Sequence, residues 1–327
     1  MVGLVKRVGE GNRPYPSVAR VAADPWVRGN QGRLGDVIAA CAQLDNQIIR
    51  ALDTDAHPRL VAFPFEGTAV FTSRHHELEE ETEVAADALR LLRDALARLP
   101  EPEPYLAILV ADGDKMGAAL SRLDSPDKHR EFSQALAGFA GSAKEIVNED
   151  HNGVLIFAGG DDVLAFLPVD RCLPCARKLH VEFGELLKSY RNEQGNPPTL
   201  SVGVAIGHFM ENLEDLLEYG RAAEKHAKQP DRDGLAVHLH KRGGAPINVR
   251  ARWTENPDER ITRYAQLILA EAIPGKLPYN LRNLARLYEG WPADTVARSA
   301  ICQVSFGSSA TSNLVQAGSI CPRSKRH

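Results

Sequence analysis

Two stretches decide the fold: Tyr105-Leu-Ala-Ile-Leu-Val-Ala-Asp-Gly-Asp114 and Val154-Leu-Ile-Phe-Ala-Gly-Gly-Asp-Asp-Val-Leu-Ala-Phe-Leu167. The first opens with a continuous apolar run over 105–111, the pattern of a strand buried on both faces and closed by Asp112. The second holds two apolar runs, 154–158 and 163–167, separated by Gly159-Gly160-Asp161-Asp162, a tight hairpin whose glycines can supply positive φ. Between the two stretches a helix is predicted from near Lys115, with Asp114 as its candidate N-cap, running with interruptions to about Asn148. Helical spacing over 171–191, an apolar strand over 199–206 and a helix over 213–228 follow. The order β-α-β-β-α-β-α predicts an α+β fold of ferredoxin-like (βαββαβ) type, an antiparallel sheet with helices on one face.

Working outward, Pro100-Glu-Pro-Glu-Pro104 breaks the chain ahead of the first strand and marks a domain boundary. Upstream, residues 1–30 read as an irregular lead-in, and helices are predicted over 36–52 and 77–99. Downstream, a strand is predicted over 235–239 and helices over 260–272 and 281–288. The expected organisation is therefore a mainly helical region 1–100, the α+β core 101–245, a helical region 246–292 and a poorly ordered, Ser-rich tail 293–327. That tail has no acidic residue after Asp294 and ends Arg323-Ser-Lys-Arg-His327.

The 327 residues are 43% hydrophobic and 25% charged, with net charge -4, which excludes disordered, collagen-like and disulfide-scaffold classes. The same balance argues against a strongly basic nucleic-acid surface. No run of about 18 uncharged apolar residues occurs, and charges break the first ten residues too early for a secretory signal, so a cytoplasmic protein without membrane contact is expected. Of five cysteines only Cys172 and Cys175 form a C-x-x-C, on one face of a predicted helix. Without a second pair it reads as packing and not as zinc binding.

The carboxylates carry the chemistry. In this topology the end of the first strand lies beside the hairpin tip, which brings Asp112 to Asp161 and Asp162. Burying such charges unpaired costs several kcal/mol, and a cation resolves the repulsion. Oxygen-only ligands select Mg²⁺ or Mn²⁺. A pair of such ions about 3.5–4 Å apart suits nucleotidyl transfer from a triphosphate. The helix start after Asp114 offers backbone N–H groups to phosphate, with Gly113 and Gly117 keeping the approach clear. Taken alone, Gly159–Asp162 equally suits a plain type I′ hairpin; the Asp-Gly-Asp upstream tips the reading.

Ala111-Asp-Gly-Asp-Lys-Met-Gly117 together with Gly159-Gly-Asp-Asp-Val-Leu-Ala165 resembles the palm domain of the large polymerase subunit of type III CRISPR effector complexes, in particular the type III-B (Cmr) branch. Leu200-Ser-Val-Gly-Val-Ala-Ile-Gly207 and Ala222-Ala-Glu-Lys-His-Ala-Lys228 are also similar to a strand and helix of GGDEF diguanylate cyclases, which share the palm. Pro16-Ser-Val-Ala-Arg-Val-Ala22 and the helices after residue 246 fit the flanking helical regions, and the resemblance spans most of 14–290. It implies an ATP-dependent, two-metal synthase of cyclic oligoadenylate, switched on by target RNA inside a complex of other CRISPR subunits and guide RNA. By that resemblance Asp112, Asp161 and Asp162 are the catalytic metal ligands, while Gly113, Asp114, Gly159, Gly160 and Lys228 belong to the nucleotide site. Asp114 is either a ligand or the helix N-cap, and Lys228 either approaches triphosphate or is a solvated helix-end lysine.

There are departures from the family pattern. No His-Asp dipeptide occurs, so HD-type nuclease activity is not expected, and the chain reads as though it began after the first of two palm-like domains. A stand-alone diguanylate or adenylate cyclase and a non-catalytic scaffold are the competing readings; the missing Glu-Phe of the GGDEF pattern speaks against the former, and three retained carboxylates against the latter. His75-His-Glu77 reads as a solvated helix face. The basic segment His238-Leu-His-Lys-Arg-Gly-Gly244, extended by Arg250 and Arg252, is the candidate phosphate contact beside the alternative of a solvated loop, with partner proteins carrying most of the RNA.

Overall fold

The computed structural model describes residues 16–44, 49–55, 60–76, 86–192 and 194–287, and the chain divides into two compact units, Met1–Pro257 and Asp258–His327. The first unit holds one sheet of six strands: β1 (Tyr105–Asp114), β2 (Val154–Gly159), β3 (Asp162–Pro168), β4 (Thr199–His208), β5 (Gly234–Leu239) and β6 (Ile247–Arg252). Their order is β2-β3-β1-β4-β5-β6. All neighbours are antiparallel except β4 and β5, which run parallel. The first four strands give the expected ferredoxin-like order, with β1 between the hairpin and β4. The β6 strand lies within residues expected to be helical; the alternation Ile247-Asn-Val-Arg-Ala-Arg252 pairs it along β5 from Leu239 back to Gly234.

Helices α1 (Val18–Gly29), α2 (Gly35–Cys41) and α3 (Ala86–Leu96) precede the sheet, and α4 (Met116–Leu120), α5 (Pro126–Glu145), α6 (Val169–Leu187) and α7 (Leu213–Ala227) connect its strands. Helix α1 stands within the expected irregular lead-in 1–30, of which residues 1–15 lie outside the described residues. Ser17 caps it by accepting from the Arg20 N–H at 3.1 Å, and its Ala and Val residues bury although Pro25 and the arginines obscure their period. The helix expected over 36–52 ends at Cys41. Leu44 and Ile49 beyond it are buried outside any helix, Ala51 bridges to Phe65, and residues 45–48 lie outside the described residues. The long helix expected after Lys115 is two helices, because Pro126 can only begin a helix and Ser125 caps it. The expected tail 293–327 lies outside the described residues.

Alternation along β1 feeds two cores. Ala107, Leu109 and Ala111 join Val163, Ala165 and Leu167 under α5 and α6, where Phe139 and Phe183 pack edge to face. Leu106 and Ile108 join Phe166 under α1 and α7. Helices therefore cover both faces instead of one; each large side chain so buried is worth about 1.5–3 kcal/mol over its exposed state. Cys172 and Cys175 are buried on the inner face of α6, as expected for packing residues, and burial pushes the Cys172 thiol up to about 12. His75 is buried and hydrogen-bonded through Nε2 to the Ala69 carbonyl at 2.9 Å, so it is not part of a solvated face; Glu77 lies outside the described residues. No helix among the described residues is long and apolar enough to cross a membrane.

Helix α7 comes unusually close to the sheet. Its inward positions Leu216, Gly220, Ala223 and Ala227 are mostly small, and they lie over Gly203 of β4. A Cβ at Gly203 would stand 2.1 Å from the Glu224 backbone nitrogen, and one at Gly220 2.8 Å from an Ile108 methyl. The second unit has its own small core, in which Tyr264, Leu267 and Ile268 of α8 (Pro257–Leu269) and Leu277 and Leu281 of α9 (Leu277–Leu287) surround Ile273.

Gly203→Val is expected to cost about 1–3 kcal/mol through overpacking against α7. Gly117→Ala, where nothing lies within 4 Å of the added carbon, should stay within about 0.5 kcal/mol of wild type. Urea unfolding of the two variants checks both.

Candidate active site

The β1–β3 ladder ends at Ala111 opposite Val163, one residue short of Asp112 and Asp162. Both acids therefore emerge at the same end of adjacent strands. The β2–β3 hairpin closes with Gly159 paired to Asp162, leaving Gly160 and Asp161 as the two turn residues. Gly160 takes φ +73° and Asp161 does not take positive φ, so the turn is not type I′, which needs it at both positions. Gly113 is required by contact: a Cβ there would sit 2.8 Å from the Asp161 carboxylate, so the tip can close over β1 only because that position is bare. At Gly159 the Phe157 ring fills the corresponding space.

β1 continues three residues past the predicted end. Asp112, Gly113 and Asp114 pair with Ser201, Leu200 and Thr199 of β4. Asp114 is thus a strand residue and not a helix cap; the residue preceding α4 is Lys115, in the left-handed region with no side-chain cap. At 1% exposure Asp114 is among the most buried charges described. It accepts from the Thr199 and Ser201 hydroxyls, each at 2.8 Å, and from the Asp233 N–H at 3.1 Å, and pairs with Arg232 at 3.4 Å. Those donors satisfy it, so it ties β1 to the loop after α7. The α4 helix has only five residues, which leaves it little macrodipole to offer a phosphate.

Lys228, which caps the C-terminal end of α7, is not solvated. Its ammonium lies against Asp112 and 2.7 Å from Glu224 one helical turn earlier. Burial, then the Arg232 charge, push that ammonium down to about 8. Glu224 belongs to the site although its role was not read from the sequence; the signal available was its i, i+4 spacing to Lys228. Burial, then the charges of Asp114 and Asp162, push the Glu224 carboxyl up. Burial and the Asp162 charge do the same to Asp161, and burial raises Asp162.

The edge thus carries more negative charge than its own cations settle, and its donors are all oxygens, the set that suits a hard divalent cation. Among the described residues no three His, Cys, Asp or Glu side chains stand together as a ready metal cage. The Lys228 ammonium occupies the position of counter-charge on Asp112.

The basic segment is not a phosphate contact as a unit. His238 is buried in β5 and shares a hydrogen bond with His226 at 2.9 Å. Burial and the neighbouring imidazoles push it down to about 4. Arg250 donates to the Ala227 and Arg232 carbonyls and to Asp231, and Arg252 pairs with Asp231 at 3.2 Å; both brace the α7–β5 loop. Lys241 and Arg242 remain exposed.

A ferredoxin-like sheet with acids at the β1 end and the hairpin tip defines a palm domain, the class to which nucleotide-cyclising domains belong. Residues 105–236 match the family model described as Cas10/Cmr2, second palm domain, and this segment has the palm fold. The chain is 36% identical over 197 residues to the CRISPR system Cmr subunit Cmr2 of Pyrococcus furiosus, a match covering 52% of this chain and 22% of that protein. It therefore spans about a fifth of the length of this curated relative. Among solved structures, a chain of the type III-B Cmr-beta complex in its apo state aligns over 95% of this chain and 43% of its own, at TM-score 0.55 and 13% identity. Csm1 of T. onnurineus aligns over 58% of this chain and 30% of its own, at TM-score 0.43 and 21% identity.

Two outcomes follow from these charges. The unfolded chain protonates His238 near its ordinary 6.5, whereas the folded chain resists to about 4, so stability is complete above 6.5 and is lost as pH falls toward 4. His238→Gln should flatten the change in urea midpoint between pH 7.5 and 5. Asp161 and Asp162 are held above their ordinary range, so their ionised forms oppose folding at neutral pH. Asp161→Asn/Asp162→Asn should raise the melting temperature of chelator-treated protein at pH 7.5 by about 2–4 °C, readable by differential scanning calorimetry.

Proposed function

We propose that this palm performs nucleotidyl transfer on ATP, making cyclic oligoadenylate as part of an RNA-guided type III CRISPR antiviral complex in the cytoplasm. The observation that carries the proposal is the meeting of Asp112 with the Asp161–Asp162 tip at one sheet end, with a lysine on Asp112. In the reaction a ribose hydroxyl oxygen bonds to the α-phosphorus of a second nucleotide as the bond to pyrophosphate breaks, and the hydroxyl proton passes to solvent. Asp112, Asp161 and Asp162 would hold two Mg²⁺ or Mn²⁺ ions, which lower the pKa of the attacking hydroxyl and neutralise the triphosphate. Lys228 and Arg232, both beside the acids, offer cationic contacts to the phosphates. At the turn Gly160 has nothing within 4 Å of where a side chain would start, which leaves the hairpin tip open to nucleotide.

The 36% identity to a Cmr2 subunit supports the complex as the setting. The net charge of -4 supports partner subunits as the main holders of guide and target RNA. The test is incubation of the chain with Cmr-type partner subunits, guide and target RNA, labelled ATP and Mn²⁺ or Mg²⁺. Target-dependent oligoadenylate is expected, falling at least about 100-fold in Asp161→Ala/Asp162→Ala. A GTP-derived dinucleotide made by the chain alone would replace this reading with a diguanylate cyclase. No product from the assembled, RNA-bound complex would replace it with a scaffold.

A further inference from the structure

Lys228 has two partners with different surroundings. Asp112 lies at the open end of β1, its side chain 30% exposed, among the acids of the hairpin tip. Glu224 lies one turn back on Lys228's own helix, its side chain 13% exposed, with its backbone pressed onto Gly203. No hydrogen-bond donor among the described residues is aligned on the buried Glu224 Oε1; the ammonium at 2.7 Å is its counter-charge. The helix thus fixes the Glu224–Lys228 pair, while the Asp112–Lys228 contact spans two separate elements.

We infer that Glu224 is a positioning residue that retains the Lys228 ammonium at the site when Asp112 takes a divalent cation, so that Lys228 gives up Asp112, keeps Glu224 and stays beside the nucleotide. The inference rests on the metal reading of Asp112, Asp161 and Asp162 proposed above. In the cation-free protein Lys228 is a tethered stand-in that neutralises Asp112 and competes for it. Released without Glu224, the ammonium would face only solvent or return to Asp112. With Glu224 the displaced charge keeps a buried partner, which lowers the free energy of the cation-loaded form. The two residues are therefore coupled to cation affinity through each other, and Glu224 acts only through Lys228.

The test is Mn²⁺ binding to the full chain, read as loss of the free-ion electron paramagnetic resonance signal, with circular dichroism melts confirming that each variant folds. Lys228→Gln is expected to bind Mn²⁺ more tightly, by about fivefold or more, because the competing cation is gone. Glu224→Gln should bind more weakly by a similar factor, because the ammonium loses its alternative partner. In Glu224→Gln/Lys228→Gln the affinity should match Lys228→Gln alone. Weakening by Glu224→Gln that persists without Lys228 would overturn the inference and make Glu224 a direct ligand or a structural residue. Equal affinity of wild type and Glu224→Gln would overturn it as well. Failure of the underlying metal reading looks different: Mn²⁺ binding would be absent in every variant, or unchanged by Asp161→Asn/Asp162→Asn.

Discussion

The site depends on how closely α7 lies on β4. Gly203 has no side chain, and the Glu224 backbone occupies the space a Cβ would take. Gly220 does the same one turn earlier against Ile108 and Val110. Interiors are packed as densely as organic crystals, so a helix lowered by even one methyl group relocates everything it carries. Here it carries Glu224 and Lys228 to the edge where β1 and the hairpin present their acids. Were Gly203 any other residue, the helix would ride higher and the lysine would meet water before it met Asp112.

Much of the palm was legible because its signals are redundant. The apolar run 105–111, the paired runs around Gly159–Asp162 and the strand at 199–206 each specify their own element, and their order specifies the sheet. From that order the arrival of Asp112 at the same sheet end as the Asp161–Asp162 turn followed, as the strand register has it. The ends of elements were less legible. Asp112 and Asp114 read as punctuation because acids are poor strand formers, yet the Ser201 and Thr199 hydroxyls on the neighbouring strand make Asp114 a stable strand residue. Nothing local announces a partner that lies 85 positions away.

Other misreadings came from chemistry that only tertiary packing supplies. A run of His, Lys and Arg looks basic as text, but burial strips the proton from His238, and a carboxylate and two carbonyls claim Arg250. Charge counted along the chain therefore overstates the positive surface. The opposite error applies to Glu224, which looks like one of many helix-surface acids and is instead part of the buried edge. The edge as a whole is held against its own repulsion by the surrounding fold, so stability elsewhere in the sheet offsets what the acids cost.

The parallel pairing of β4 with β5, reached only through α7, gives this edge a particular history during folding. The hairpin and its helices form from neighbours in sequence, but β1 must wait for a strand almost a hundred residues further on before Asp112, Asp114 and Lys228 share one neighbourhood. Contacts of such long sequence separation form late, because loop closure costs entropy before it returns any contact. In a partly folded chain that lacks this pairing, Lys228 and the Asp114 partners on β4 therefore stand apart from the acids of β1. The surroundings of Lys228 are thus completed by the last long-range pairing, after β1 and the hairpin have already met.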